Sequence, residues 1–320
     1  MRDFRKAGWA LFVLVFHHTV AAQGFPEKPI RVIVPFPPGG AAELGARIFT
    51  TPLSQQLGQP IIIETRPGAE GIIASEAVKK SDADGYTLYY GTATGMSFAP
   101  AAKKVAPYDP VNDFTPISLV GIFGFFVFSH AGLPVNNINE LIAYARANPG
   151  KLNYGTGNAT SILATAQFAA QQKIEAVHIP YKGDGPLTID FIAGRVNFTI
   201  ATPGNIAPQV KEGKVKALAT LLPSRNALLP DAPTLKEAGL PDVPITPWGG
   251  LFGPARLPKD IVDRVNREMV IVLARPEVKE AFGRLSFEPR SSTPQELSAF
   301  VSEQLRAYGA AAKASNISLD

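Results

Sequence analysis

Short runs of β-branched and other apolar residues alternate with helix-like segments along most of this chain, and that alternation decides its fold class. Strand candidates are Ile30–Pro35, Pro60–Glu64, Tyr86–Gly91, Ile117–Ser129, Leu152–Gly155, Ala176–Pro180, Val196–Ile200 and Val215–Leu221. Several are almost continuously apolar, as strands covered on both faces are. Between and after them, helices are expected over 41–57, 70–80, 138–148, 160–172, 184–193, 205–212, 258–274, 276–284 and 294–314. The order predicts an α/β protein with largely parallel sheets. With 320 residues, 46 % of them hydrophobic, the chain lies near the size where one core divides into two.

Two stretches read as crossings between domains. "ISLVGIFGFFVFSH" (117–130) is long and apolar for a single strand, and "VPITPWGGLFGP" (243–254) is held extended by three prolines. Paired crossings place one lobe at both chain ends, 25–122 plus 250–320, and the other at 123–249. Such pairs suit a hinge, and the cleft beside a hinge is a favoured ligand site.

Residues 1–22 stand apart. Arg2, Arg5 and Lys6 precede the apolar run Ala7–Phe16, and Val20 and Ala22 occupy the −3 and −1 positions before Gln23. This is the pattern of a cleaved export signal; the run is about half the ~20 residues of a membrane span. The segment takes with it three of the 31 basic and one of the 27 acidic residues, leaving a mature net charge of +2. So small a charge, with no basic cluster among aromatics, argues against nucleic-acid and membrane-surface binding. The absence of cysteine removes disulfides, thiolate metal sites and cysteine nucleophiles together.

The stretch "RVIVPFPPGGAAELGAR" (31–47) runs strand, Gly-rich turn, helix start, an arrangement that aims backbone N–H groups at an anion. It lacks the Lys and hydroxyl of a P-loop and the spacing of a dinucleotide fingerprint, and Glu43 would repel a phosphate. A carboxylate remains as the ligand, and so does a plain strand-to-helix turn. "KLNYGTGNATSILATAQF" (151–168) repeats the grammar in the other lobe, adding the hydroxyls of Thr156, Thr160 and Ser161. Some of these groups serve equally well as helix caps. Four charge-assisted hydrogen bonds with two helix termini supply on the order of 7–14 kcal/mol, against about 8 for micromolar capture.

Catalytic patterns are sparse. There is no G-x-S-x-G elbow, only "GMSFA" at 95–99, and no metal-ligand spacing. "SDADG" (81–85) lacks the rest of a calcium loop. His178 lies in an apolar strand and reads as a satisfied core residue, and His130, following the expected hinge strand, is a weak candidate for the cleft wall. No enzyme activity, metal or cofactor is expected.

Seven motifs occur in order: "KPIRVIVPFPPGGAAELGAR", "LGQPIIIETRPGAEG", "DGYTLYYGTA", "PYDPVNDFTPISLV", "NPGKLNYGTGNATS", "HIPYKG" and "LPDAPTLKEAGLP". Together they make the mature chain similar to the Bug-type extracytoplasmic solute receptors of tripartite tricarboxylate transporters. The resemblance implies a two-lobed, type II-like Venus-flytrap binding protein, monomeric and periplasmic, handing a small carboxylate to membrane permease subunits. A ligand-presenting co-receptor for a membrane sensor kinase needs the same cleft and is the alternative; an exported hydrolase is a weaker one.

Carried onto this sequence, the family's first-lobe ligand loop falls on Phe36, Gly39, Gly40, Ala41, Ala42 and Glu43. A strand-end loop supplies Thr92, Ala93, Thr94, Met96 and Ser97. The second-lobe loop supplies Thr156, Gly157, Asn158, Ala159, Thr160 and Ser161. Tyr181, the segment Ala201–Asn205 with Thr202, and Trp248 complete the implied cleft. Where the family often has Thr-Asp, this chain has Ala42-Glu43; Leu163 and Met96 stand at frequent histidines, and Ala201-Thr202 at an acid and an amide. All but Glu43 make the cleft less polar, and Ala201 removes an acid that would face an ammonium. The expected ligand is a carboxylate with an apolar or aromatic body, rather than an amino acid or citrate.

Overall fold

A computed structural model describes residues 24–243, 245–315 and 317–318. The export signal expected at 1–22 lies outside the described residues. The chain runs β1 (Ile30–Val34), α1 (Ala41–Leu57), β2 (Ile61–Thr65), α2 (Ile72–Lys79), β3 (Thr87–Thr92), α3 (Ala99–Ala102) and β4 (Phe114–Phe123). It continues as β5 (Phe126–His130), α4 (Ile138–Ala147), β6 (Leu152–Thr156), α5 (Ala159–Gln172), β7 (Ala176–Pro180), α6 (Asp184–Ile192), β8 (Phe198–Ala201), α7 (Ala207–Lys211) and β9 (Val215–Thr220). The return comprises β10 (Trp248–Pro254), α8 (Lys259–Ala274), α9 (Pro276–Gly283), β11 (Phe287–Pro289) and α10 (Pro294–Ala314).

Two sheets result, ordered β2-β1-β3-β10-β4-β11 and β7-β6-β8-β5-β9. Apart from β11 the two orders match: three parallel strands, then a strand arriving from the other lobe, then a last strand. The incoming β10 and β5 run antiparallel to both neighbours. The sheets are therefore mixed, not largely parallel, because a strand returning across the hinge enters against the direction of those already in place.

The apolar run 117–130 is two strands in two sheets, not one. Gly124 and Phe125 form the break: Gly124 N–H donates to Ser286 O at 2.6 Å on the first lobe, while Phe125 O accepts from Leu221 N–H at 2.9 Å on the second. A side chain at Gly124 would crowd Leu222 Cδ1 at 3.1 Å, so the crossing has room for backbone only. The second crossing ends where β10 begins at Trp248, two residues before the boundary expected from sequence.

One apolar cluster joins the lobes. Tyr89 and Met96 from the first, Leu163, Phe168 and Phe198 from the second, and Phe125 and Trp248 from the crossings pack in a single buried core. A second cluster fills the far face of the first sheet, under α1 and α8. The long C-terminal α10 starts at a capping box, Thr293 with Glu296, and lies against β4 and α3. Among the described residues no helix is long and apolar enough to cross a membrane.

Candidate binding site

A cavity of about 440 Å³ opens between the sheets. The first lobe contributes Phe36–Ala42 and Thr92–Thr94, the crossings Phe123, Phe125, Pro247 and Trp248, and the second lobe Gly157, Asn158, Thr160, Lys182–Pro186 and Thr202. Three strand-to-helix turns converge on it, the starts of α1, α5 and α6.

The α1 start is the open one. Gly40 is its extended N-cap and supplies no side chain, so the first N–H groups of a 17-residue helix lack both helical and side-chain partners. Gly39, with φ +81°, turns its N–H onto the carboxylate of Glu43 at 3.1 Å. That carboxylate also pairs with Arg47 one turn on, and Glu43 is only 2 % exposed. Glu43 is thus folded back beneath the loop and does not line the cavity. Two wall residues each bury a polar group with no partner among the described residues: the indole N–H of Trp248, a residue 0 % exposed, and the hydroxyl of Thr92.

After Thr92 the chain passes directly into a π-helical turn, Thr94–Phe98, continuous with α3. Met96 and Phe98 enter the shared core, Tyr108 closes the turn onto Gly95 O, and Ser97 is buried. Thr92, Ala93 and Thr94 therefore reach the cavity and Met96 and Ser97 do not. The burial of Met96 and Phe98 makes this segment helical, where the sequence suggested a strand-end loop.

The α5 start is largely occupied. Asn158 caps it by accepting from Ser161 N–H at 2.9 Å, and Ser161 donates its hydroxyl to Ile200 O. Thr156 bonds His178 Nε2 at 2.7 Å, and the His178 ring stacks on Tyr154 at 4.9 Å, its pKa held below the usual histidine value by burial. From the other lobe Glu70 brings its carboxylate within 3.3 Å of Ala159 N–H, and Thr94 and Thr160 share a hydroxyl–hydroxyl bond of 3.0 Å. Burial pushes the Glu70 carboxyl above the ordinary glutamate pKa, partly offset by that N–H. Gly157, Asn158 and Thr160 line the cavity, whereas Thr156, Ala159 and Ser161 are spent on structure. Ala201 likewise packs into the second-lobe core, leaving Thr202 at the wall.

Tyr181 lines a neighbouring hollow, not the main cavity, and its hydroxyl donates to Asp190 at 2.9 Å. His130 accepts from Gly132 N–H at 3.1 Å, a turn role. Among the described residues no group of three or more His, Asp or Glu is placed to hold a metal.

Sequence reasoning missed the α6 start. Asp184 lies in the cavity wall, accepting from Asn158 Nδ2 at 3.3 Å and from the Thr202 hydroxyl. Burial pushes its carboxyl above the ordinary aspartate pKa, against the lowering effect of both partners. The signal was present: "HIPYKGDGP" repeats strand, glycine and helix start as the two recognised loops do. An acid of the kind missing at Ala201 therefore stands in the wall on a different element, α6.

The family model described as tripartite tricarboxylate transporter family receptor (TctC) matches residues 46–317. BugT of Bordetella pertussis is 31 % identical over 296 residues, 90 % of each chain. A protein of R. palustris solved with adipate superposes with a TM-score of 0.87 at 30 % identity, covering 92 % of this chain and 99 % of that one. MatC of Rhodopseudomonas palustris, solved with malate, gives 0.82 at 29 % identity, covering 90 % and 99 %. These relatives are solute-binding receptors, not enzymes. The motifs, the paired sheets and the cleft agree with these matches: the chain belongs to the TctC family of tripartite tricarboxylate transporter receptors, which includes the Bug proteins.

Proposed function

We propose that this receptor works in the periplasm as a monomer. It captures a small carboxylate with an apolar or aromatic body and delivers it to a tripartite tricarboxylate-type permease. The observation that carries this reading is the uncapped start of α1. Its N–H groups open on a cavity whose walls include Thr92 and Trp248 together with Phe36, Phe123, Phe125 and Pro247. The donors suit a carboxylate and the walls suit a hydrocarbon body.

Two or three charge-assisted bonds at roughly 1.5–3 kcal/mol each, with a helix terminus worth roughly 0.3–1, supply most of micromolar affinity. Burying about 100 Å² of apolar ligand surface adds about 2.5 kcal/mol. The two R. palustris relatives, solved with adipate and with malate, support a carboxylate as the ligand.

Thermal-shift and calorimetric titration of the purified protein with a carboxylate panel tests the reading. Aryl and branched-alkyl acids are expected to stabilise it. Stabilisation by citrate or glutamate alone overturns the apolar-body assignment.

A further inference from the structure

Resting on that capture reading, we infer that the ligand carries a cationic amine as well as a carboxylate, and that Asp184 is the specificity-determining residue that receives it. The two sides of the cavity offer different groups. The first lobe presents the uncapped N–H groups of the α1 start. The second lobe presents the Asp184 carboxylate at the start of the nine-residue α6, with Lys182 two positions before it in the same wall.

The groups closest to the Asp184 carboxyl, the Asn158 amide and the Thr202 hydroxyl, are neutral, and among the described residues it forms no ion pair with a Lys or Arg, Lys182 included. A carboxylate brought into an apolar-walled cavity with neutral partners is best compensated by a cation. Gly157 shows how closely the carboxylate is accommodated: a Cβ there would collide with Asp184 Oδ1. An acid in the first turn of a helix also stabilises that helix. This purely structural role predicts no ligand preference, and the test separates the two.

The test is calorimetry with matched acids differing only in the amine. One set is 3-phenylpropanoate, 3-phenyllactate and phenylalanine; the other is 4-methylbenzoate and 4-(aminomethyl)benzoate. In at least one set the amine is expected to bind at least about tenfold more tightly than its des-amino partner, the hydroxyl falling between. In Asp184→Asn that advantage falls below about threefold. Equal binding of amine and des-amino acid in both sets overturns the inference, as does an amine advantage that survives Asp184→Asn. Binding of des-amino acids without an amine advantage sinks this inference alone; binding of none sinks the apolar-acid reading as well. The wild-type comparison decides the matter even if the variant fails to fold.

Discussion

The loops that start α1 and α5 look alike in sequence, each a strand, a glycine turn and a helix with free N–H groups, yet they end in different states. The α1 start is left open, since its N-cap is a glycine and Glu43 is folded back onto Gly39 and Arg47. The α5 start is capped by Asn158, met by Glu70 from the opposite lobe and tied through Thr160 to Thr94. A helix N-terminus attracts any anion, and here the protein's own carboxylate reaches one of the two first. The first jaw is the better ligand site and the second jaw the better latch.

The most severe way to break this contrast is to give α1 the carboxylate that α5 has. Ala41→Asp places an acid at the first position of the open helix. Carboxylate affinity is expected to fall about 100-fold by calorimetry, while thermal stability holds or rises because an acid there favours the helix by roughly 0.3–1 kcal/mol. A loss of fold instead of affinity would refute the open-jaw assignment.

A glycine pair sharpens the difference in slack. Gly157→Ala drives a Cβ to 2.7 Å from Asp184 N, a backbone atom that cannot step aside, whereas at Gly40 the nearest neighbour is Pro37 O at 3.5 Å. Gly157→Ala is expected to cost about 1–3 kcal/mol in denaturant unfolding, and Gly40→Ala well under ~1. Equal costs would mean the two loops are packed alike. Thr160→Val comes next: it removes the cross-lobe hydroxyl bond and strands Thr94 Oγ1, for about 1 kcal/mol. An unchanged midpoint would show that the latch rests on apolar packing alone.

The smallest expected effect is in pH. Burial raises the folded-state pKa values of Glu70 and Asp184 above their ordinary values of 4.5 and 3.8. The folded protein holds these protons where the unfolded chain has released them. Their contribution is therefore least unfavourable below the unfolded values, and the penalty grows until pH passes the raised folded ones. Melting temperature against pH is expected to be flatter in Glu70→Gln and Asp184→Asn across the interval above about pH 4. A steeper profile would mean that these carboxyls are stabilised as anions.

Much of the fold was legible because its signals are local. The capping box at Thr293 and Glu296, the strand-turn-helix grammar and the family motifs sit within a few residues of the elements they announce. What escaped depends on distant partners. Nothing near Met96 says that it enters a core with Leu163 and Phe168, so the π-helical turn read as a loop. Glu70 gives no local sign that its carboxylate ends on Ala159, 89 positions away. The apolar run 117–130 hides its break because Gly124 is freed from the strand by Ser286 and Phe125 is held by Leu221. Asp184 is the exception, announced by the grammar of "PYKGDGP" and overlooked because attention fell on the acid missing at Ala201.

Trp248 has a consequence for watching this protein at work. The sequence holds two tryptophans, and the other, Trp9, lies in the segment expected to be removed on export. A processed molecule would then carry one fluorophore, set in the wall of the cleft with its indole N–H unpartnered. Its emission wavelength would register whether water or a guest fills that space, giving an unlabelled optical readout of occupancy from a single site.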